Sequence, residues 1–304
     1  MLVGMAYHSV LCPVDFSTAS RGALRYGAVV ASQLRVPLQV LTVADPLLSE
    51  AAALSASASD LPTVIDKELH HFAERCLEGL IRPDSVQFEV ATGKPAVEIL
   101  RVAKKLPTTV IVMSTHGLTG FRKLFFGSTT ERVLRETTVP VLLTPAHDPG
   151  PATLDDVKRA VKRVLLPVDL TPATQAQVDA ATAIAETLAV PVLLAHVVEP
   201  VRHAVHGFPN LPNIDGERRS RAERALTELG DRIPGTLRPE ALVAYGDPAE
   251  EIAKIARDRD AGLIVIGLHA SALLGPRMGS VTYRVLCLTH TLVLALPPRA
   301  EPKA

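Results

Sequence analysis

The chain has 304 residues, 47% of them hydrophobic, and a formal net charge of zero, enough to bury a sizeable core in one large domain or two ordinary ones. Its basic residues are not gathered into a run, which excludes the electrostatic footprint of a nucleic-acid binder. The longest apolar runs, such as LIVIGL and VPVLL, fall far short of the roughly 20 residues that span a bilayer, so no membrane partner is expected.

In chain order, the N-terminus MLVGMAYHSVLCPVDF is apolar but lacks a basic n-region and a small-residue cleavage site, and it reads as mature protein. Short β-branched runs then alternate with longer amphipathic stretches. Strands are expected over Ser9–Val14, Leu38–Ala44, Val86–Val90, Val110–Ser114 and Val139–Leu143. Helical spacing of apolar residues covers Ala19–Leu34, Val64–Leu80, Ala96–Lys105 and Thr129–Arg135. Strands that alternate with helices and are apolar on both faces imply a parallel sheet covered on two sides. Proline and glycine in AHDPGPATLDD break the pattern after Thr144, placing a seam near Pro149, with a new element starting around Lys158.

Beyond the seam the pattern returns. VLCPVDFSTAS reappears as VLLPVDLTPAT, which sets Pro13 against Pro167 and Asp15 against Asp169. LRVPLQVLTVADP returns as LAVPVLLAHVVEP, and GSTTERVLRETTVPVLLTP as GSVTYRVLCLTHTLVLALP. In the third shared segment, Gly93 falls on Gly246 and His116 on His269. The order is the same in both halves, so this is a tandem duplication of a unit about half the chain long, not a solenoid. The expected domains are 1–148 and 159–304, each a doubly wound α/β unit with a five-stranded parallel sheet.

Such sheets bind ligands outside the carboxyl ends of their strands, at the switch point where successive connections leave in opposite directions. Asp15 and the stretch Ser114–Ser128 fall there. The loop STHGLTGFRKLFFGSTT is short of side chains at Gly117, Gly120 and Gly127, then opens a helix with Ser128 and Thr129. Glycine lets backbone N–H groups approach an anion, and a helix N-terminus presents unpaired donors. A polyphosphate cradle fits this pattern. So does a serine helix cap worth roughly 1 kcal/mol, and these residues alone leave both open.

Together these features resemble the universal stress protein family, over both halves of the chain. Its nucleotide-binding members carry G-x-x-G, nine residues, then G-[ST] after an apolar strand. Here IVMSTHG, nine residues from Leu118 to Phe126, and Gly127-Ser128 keep that spacing, with Ser114 at the place of the first glycine. The resemblance implies a Rossmann-like fold of the adenine nucleotide alpha hydrolase type and an ATP or related adenine nucleotide ligand, with or without Mg²⁺. Carried over by position, Pro13 and Val14 line the base, Asp15 accepts from the nucleoside and Val43 offers backbone to adenine. Met113, Ser114 and His116 border the nucleoside, Gly117 leaves room for ribose and phosphates, and Gly127, Ser128 and Thr129 hold the phosphate tail. Arg122 and Lys123 lie in the same loop, where they screen its charge or form a solvated face.

The second half departs further from the pattern. IGLHASALLGPRMGS keeps Gly267 and Gly279-Ser280, but Ala270 replaces the second glycine, the intervening stretch is one residue shorter, and Pro276 lies inside it. Asp169 persists, so a base pocket is expected there with weaker nucleotide binding. The resemblance also implies that the last strand of each half pairs across a two-fold, giving an intramolecular pseudo-dimer, with a homodimer as a further option.

Other chemistries fit less well. Neither G-x-x-x-x-G-K-[ST] nor an early G-x-G-x-x-G occurs. Cys12, Cys76 and Cys287 are odd in number and widely spaced, fitting neither a disulfide framework nor zinc, and they point to a reducing, cytoplasmic setting. His203 and His206 lack the further ligands of a closed metal site. His70 and His71 are placed on a helix surface. His116 with Ser128 suggests a triad, but no G-x-S-x-G elbow is present, and the histidine is better used in ordering the loop. The expected function is a stress-response regulator or sensor without fast hydrolysis. The alternative is an interaction module that no longer needs nucleotide.

Overall fold

The computed structural model describes residues 7–46, 61–106, 109–115, 127–171, 174–200, 214–268, 270–271, 275–276 and 279–298. The first half supplies β1 (Ser9–Pro13), α1 (Thr18–Leu34), β2 (Leu38–Ala44), α2 (Leu61–Leu77), β3 (Val86–Thr92), α3 (Pro95–Lys105), β4 (Thr109–Ser114), α4 (Ser128–Glu136) and β5 (Val141–Thr144). After α5 (Leu154–Ala160) the second half follows with β6 (Val164–Pro167), α6 (Thr174–Leu188), β7 (Val192–Val198), α7 (Ile214–Gly230), β8 (Glu240–Tyr245), α8 (Pro248–Asp258) and β9 (Leu263–Gly267). The two-residue strands β10 (Ala270–Ser271) and β11 (Gly275–Pro276), α9 (Ser280–Leu288) and β12 (Leu292–Leu296) complete it. The new element after the seam therefore begins at Leu154, ahead of the Lys158 entry the sequence suggests, because the Thr153 side chain and Asp156 form a capping box there.

All the long strands join one ten-stranded sheet in the order β3-β2-β1-β4-β5-β12-β9-β6-β7-β8. Pairing within each half is parallel, and β5 meets β12 antiparallel, with Leu142 opposite Leu294 and the pairs Leu143–Val293 and Val141–Ala295 on either side. Leu142 and Leu294 are corresponding residues of the two repeats, so a pseudo-two-fold axis runs through that pair. The last strands of the units, which would be bare edges in isolation, cover one another. The edges of the joined sheet are instead β3 and β8. Antiparallel joining also turns the carboxyl edges of the two units to opposite ends of the molecule.

The core explains the strand runs. Every residue of β4, β5, β6, β9 and β12 is buried, as expected for parallel strands covered on both faces. Two apolar clusters result, each drawing side chains from both repeats. One contains Val10, Leu24 and Phe72 with Leu166 and Leu226, and the other Leu11, Ile99 and Val133 with Leu165, Ile252 and Val285.

The segment between the units is clamped at both ends. Tyr26 Oη donates to Asp148 at 2.8 Å, and a Cβ on Gly22 would lie 2.0 Å from the Asp148 carbonyl oxygen. At the far end, a Cβ on Gly262 would lie 2.1 Å from the Ala160 carbonyl oxygen. Backbone approaches this close leave no room for a side chain. Val157 between them, and Val161 just after Ala160, are buried in the shared core.

Candidate functional site

Strands β1 and β4 lie side by side, with the connection from β1 leading to β2 on one side and that from β4 to β5 on the other. This is the switch point, and it brings together residues distant in sequence. Pro13 ends β1, Val14 is buried behind it, and Asp15 is half-buried at the rim. Val43 lies one residue from the end of β2, while Met113 and Ser114 close β4 and are buried. His116 and Gly117, with Gly120, Arg122 and Lys123, lie outside the described residues.

Asp15 builds a turn. Its Oδ1 accepts from the Ser17 backbone N–H at 3.2 Å and from Ser17 Oγ at 2.6 Å, and Ser17 Oγ in turn accepts from Ser20 N at 3.1 Å as the N-cap of α1. Phe16 between them takes φ 62°, a conformation costly for a side chain with a Cβ. The aspartate's hydrogen bonds offset that cost and aim its carboxyl group at the carboxyl edge of the sheet. The second unit repeats the device. Asp169 Oδ1 accepts from Thr171 N at 3.1 Å and Thr171 Oγ1 at 2.8 Å, Leu170 takes φ 60°, and Asp169 itself is exposed.

At the other wall, the serine-cap alternative does not hold. Gly127 is the N-cap of α4, in an extended conformation and without a side-chain capping bond, and Ser128 is the first helical residue, its side chain exposed. Gly279 and Ser280 stand in the same relation to α9. The first-turn N–H groups of α4 thus receive no capping side chain from Gly127. Gly127 N donates to Thr115 O at 2.9 Å, drawing the two ends of the loop together. Thr129 is half-buried.

The residue missed in the sequence is the next one. Thr130 Oγ1 donates to the Ser114 carbonyl at 3.0 Å, and Thr282 Oγ1 does the same to Gly267 at 3.1 Å. Each threonine ties the helix start to the end of the fourth strand of its unit. Recurrence of GSTT as GSVT was the available signal. Beside this wall, Thr144 Oγ1 is buried with no hydrogen-bond partner among the described residues.

In the second loop, Ala270–Ser271 pairs antiparallel with Gly275–Pro276, so the shortened stretch folds back as a small hairpin. Cys12, three positions before Asp15, is a core residue, and burial pushes its thiol well above the usual range. Such a thiol is inert as a nucleophile. Among the described residues no group of three or more His, Cys, Asp or Glu could hold a metal ion, and no helix is long and apolar enough to cross a membrane. His203 and His206 lie outside the described residues. His70 and His71 are both exposed on α2, as expected, and the His70 ring lies tilted over Phe88 with centroids 3.9 Å apart. A groove of about 370 Å³ between the units is lined by Tyr26, Asp148, Arg257, Asp260 and His290 among others, and includes none of the residues expected to bind nucleotide.

The family model described as "Universal stress protein family" matches residues 6–145 and 160–297. The chain belongs to the universal stress protein family. Its two matched segments are the two repeats. A universal stress protein of Mycolicibacterium smegmatis is 24% identical over 98% of this chain and all of its own length. Universal stress protein MJ0577 of Methanocaldococcus jannaschii is 26% identical over 46% of this chain and 96% of its own length. Among solved structures, a universal stress protein from Archaeoglobus fulgidus shares the fold at a TM-score of 0.62 and 21% identity, covering 95% of this chain and 98% of the other. The fold of the whole chain is thus shared with a solved structure.

Proposed function

We propose that this family member binds ATP or a related adenine nucleotide, with or without Mg²⁺, at the carboxyl edge of its first unit, residues 1–148, and serves as a stress-response regulator or sensor. The observation that carries the reading is a convergence. The half-buried Asp15, the buried pair Met113–Ser114 and the side-chain-free N-terminus of α4 at Gly127 meet at the switch point of one sheet. In this reading Pro13, Val14 and Val43 border the base. Gly127, whose N–H is held by Thr115, leaves room for the phosphates, and the donors of Ser128 and Thr129 face them, as helix N-termini favour anions. His116 and Gly117 complete the loop.

The second unit, residues 159–304, keeps Asp169, Gly267, Gly279 and Ser280 but carries the hairpin loop, and it binds more weakly. Fast turnover is not expected. Phosphoryl transfer needs an oriented nucleophile and a held metal ion, and the first loop contains no carboxylate to hold one. Phosphate release should fall far below the roughly 1–100 s⁻¹ of kinases.

Isothermal titration with ATP, together with analysis of nucleotide carried through purification, tests the reading. Saturable binding that disappears in Gly127→Val supports it, and absence of binding by the unaltered chain overturns it. The hairpin in the second loop favours a second reading, an interaction module independent of nucleotide, for which the same titration would show no heat and no nucleotide would co-purify.

A further inference from the structure

The two mouths differ at one position that both use for the same bond. Thr42, near the end of β2, donates through Oγ1 to the Val14 carbonyl at 3.1 Å. His196 holds the corresponding place on β7, and its Nδ1 lies 2.8 Å from the Val168 carbonyl. A carbonyl only accepts, so Nδ1 carries the proton and the rest of the ring extends beyond the point where a threonine side chain ends. Exposure differs in the same sense. Thr42 is buried at 4%, while His196 is only part-buried.

Val168 and Asp169 correspond to Val14 and Asp15, the wall against which the base is expected to lie in the first unit. A base slot is flat and largely formed before the ligand arrives. An imidazole fastened to the backbone of one wall takes up part of such a slot. Moving it aside would strip a buried carbonyl of its hydrogen bond, which opposes entry.

We propose that His196 is a specificity-determining residue that closes the second mouth to the nucleoside base, so that the chain carries one nucleotide where its two repeats would allow two. This rests on reading the first mouth as a nucleotide site. In the first unit the short side chain of Thr42 satisfies the same carbonyl from within the core and leaves the slot open. The altered loop of the second unit then acts on phosphate contacts alone, and the base is refused by the histidine.

The test is a reciprocal exchange in the full chain, with ATP binding per chain measured by titration and by equilibrium dialysis. His196→Thr supplies the hydroxyl that Thr42 supplies, so the Val168 carbonyl keeps a donor and the fold should hold, checked by an unchanged melting profile. One ATP per unaltered chain, rising to two in His196→Thr, is the expected result, and Gly127→Val/His196→Thr should retain the new site alone. Thr42→His should remove the first site.

One ATP in both the unaltered chain and His196→Thr would overturn the gate and leave the nucleotide reading standing, as would two in the unaltered chain. No ATP in the unaltered chain but one in His196→Thr would uphold the gate and overturn the first-mouth assignment. Binding by neither would sink both.

Discussion

Phe16 and Leu170, at φ 62° and 60°, and Gly93 and Gly246, at φ 154° and 150°, show how closely the two units agree where the backbone is strained. Thr130 and Thr282, which tie the helix starts to the strand ends, agree as well. The side chains above this shared frame do not. Ala23 becomes Gln177, Thr42 becomes His196, Ser114 becomes Gly267, and Tyr26 becomes Ala180. Turn geometry and sheet packing dictate the first set, because a residue that fails there costs the fold itself. The second set, which includes the buried Ala23 and Gln177, is where the two repeats have taken separate chemistries.

The largest expected effect tests the shared frame. Leu142 and Leu294 face each other on the pseudo-two-fold, each 1% exposed, so truncation of either to alanine should cost about 2–5 kcal/mol by denaturant unfolding. The two values should agree within about 1 kcal/mol. Clearly unequal costs would break the equivalence of the halves at their junction.

Next in size is the contrast between the helix-start glycines. Gly127→Val should weaken ATP binding at least ~100-fold, about 2.7 kcal/mol, whereas Gly279→Val should leave the measured affinity unchanged. Gly127 has φ −60°, open to any residue, so the loss would report blocked approach rather than misfolding. Unchanged affinity in Gly127→Val would remove the phosphate assignment.

Asp15→Ala and Asp169→Ala separate the two roles of the aspartate. Both delete the bonds that hold the turn after the first strand, so each should lower stability by about 0.5–2 kcal/mol, as for a lost helix cap. Only Asp15→Ala should reduce nucleotide stoichiometry. Equal loss of binding from both would show the second mouth to be as competent as the first.

The clamp on the linker has no counterpart at Ala180, and pH exposes it. Burial, followed by the Asp148 charge and hydrogen bond, holds the Tyr26 hydroxyl well above its ordinary value of 10.0, and burial pushes Tyr7 up to about 12. Groups raised on folding lend stability that is fully present below the unfolded value of about 10 and is lost as pH climbs through the folded value. Unfolding free energy should therefore be level in this respect below about pH 10 and fall above it. Tyr26→Phe should flatten that fall while costing about 1 kcal/mol at neutral pH. An unaltered alkaline slope in Tyr26→Phe would argue against the clamp.

The smallest expected effect is a gain. Gln177 is 4% exposed and its Oε1 has no hydrogen-bond partner among the described residues, while Ala23 at the same place is fully buried and apolar. A buried acceptor left unpaired costs about 1–3 kcal/mol, so Gln177→Leu should raise stability by about 1 kcal/mol in thermal or denaturant unfolding. A loss instead would mean that the glutamine has a partner in the folded chain in solution.

By itself the sequence determined the duplication, the order of strands and helices, the doubly wound class and the position of the switch point at the strand ends of each unit. Those follow from local periodicity and from strand ends, which are written in short windows. Strand limits moved by only a residue or two, as with Val139–Leu143 against the observed Val141–Thr144. The tertiary structure alone decided what depends on partners far apart in the chain. It set Leu142 against Leu294, made Gly127 rather than Ser128 the N-cap of α4, tied Thr130 back to Ser114, and pressed Asp148 onto Gly22. It also turned one threonine and one histidine, alike in nothing the hydrophobic pattern records, toward the same backbone carbonyl in each unit. Such bonds join a side chain to a backbone group many residues away, and hydrophobic periodicity carries no record of them.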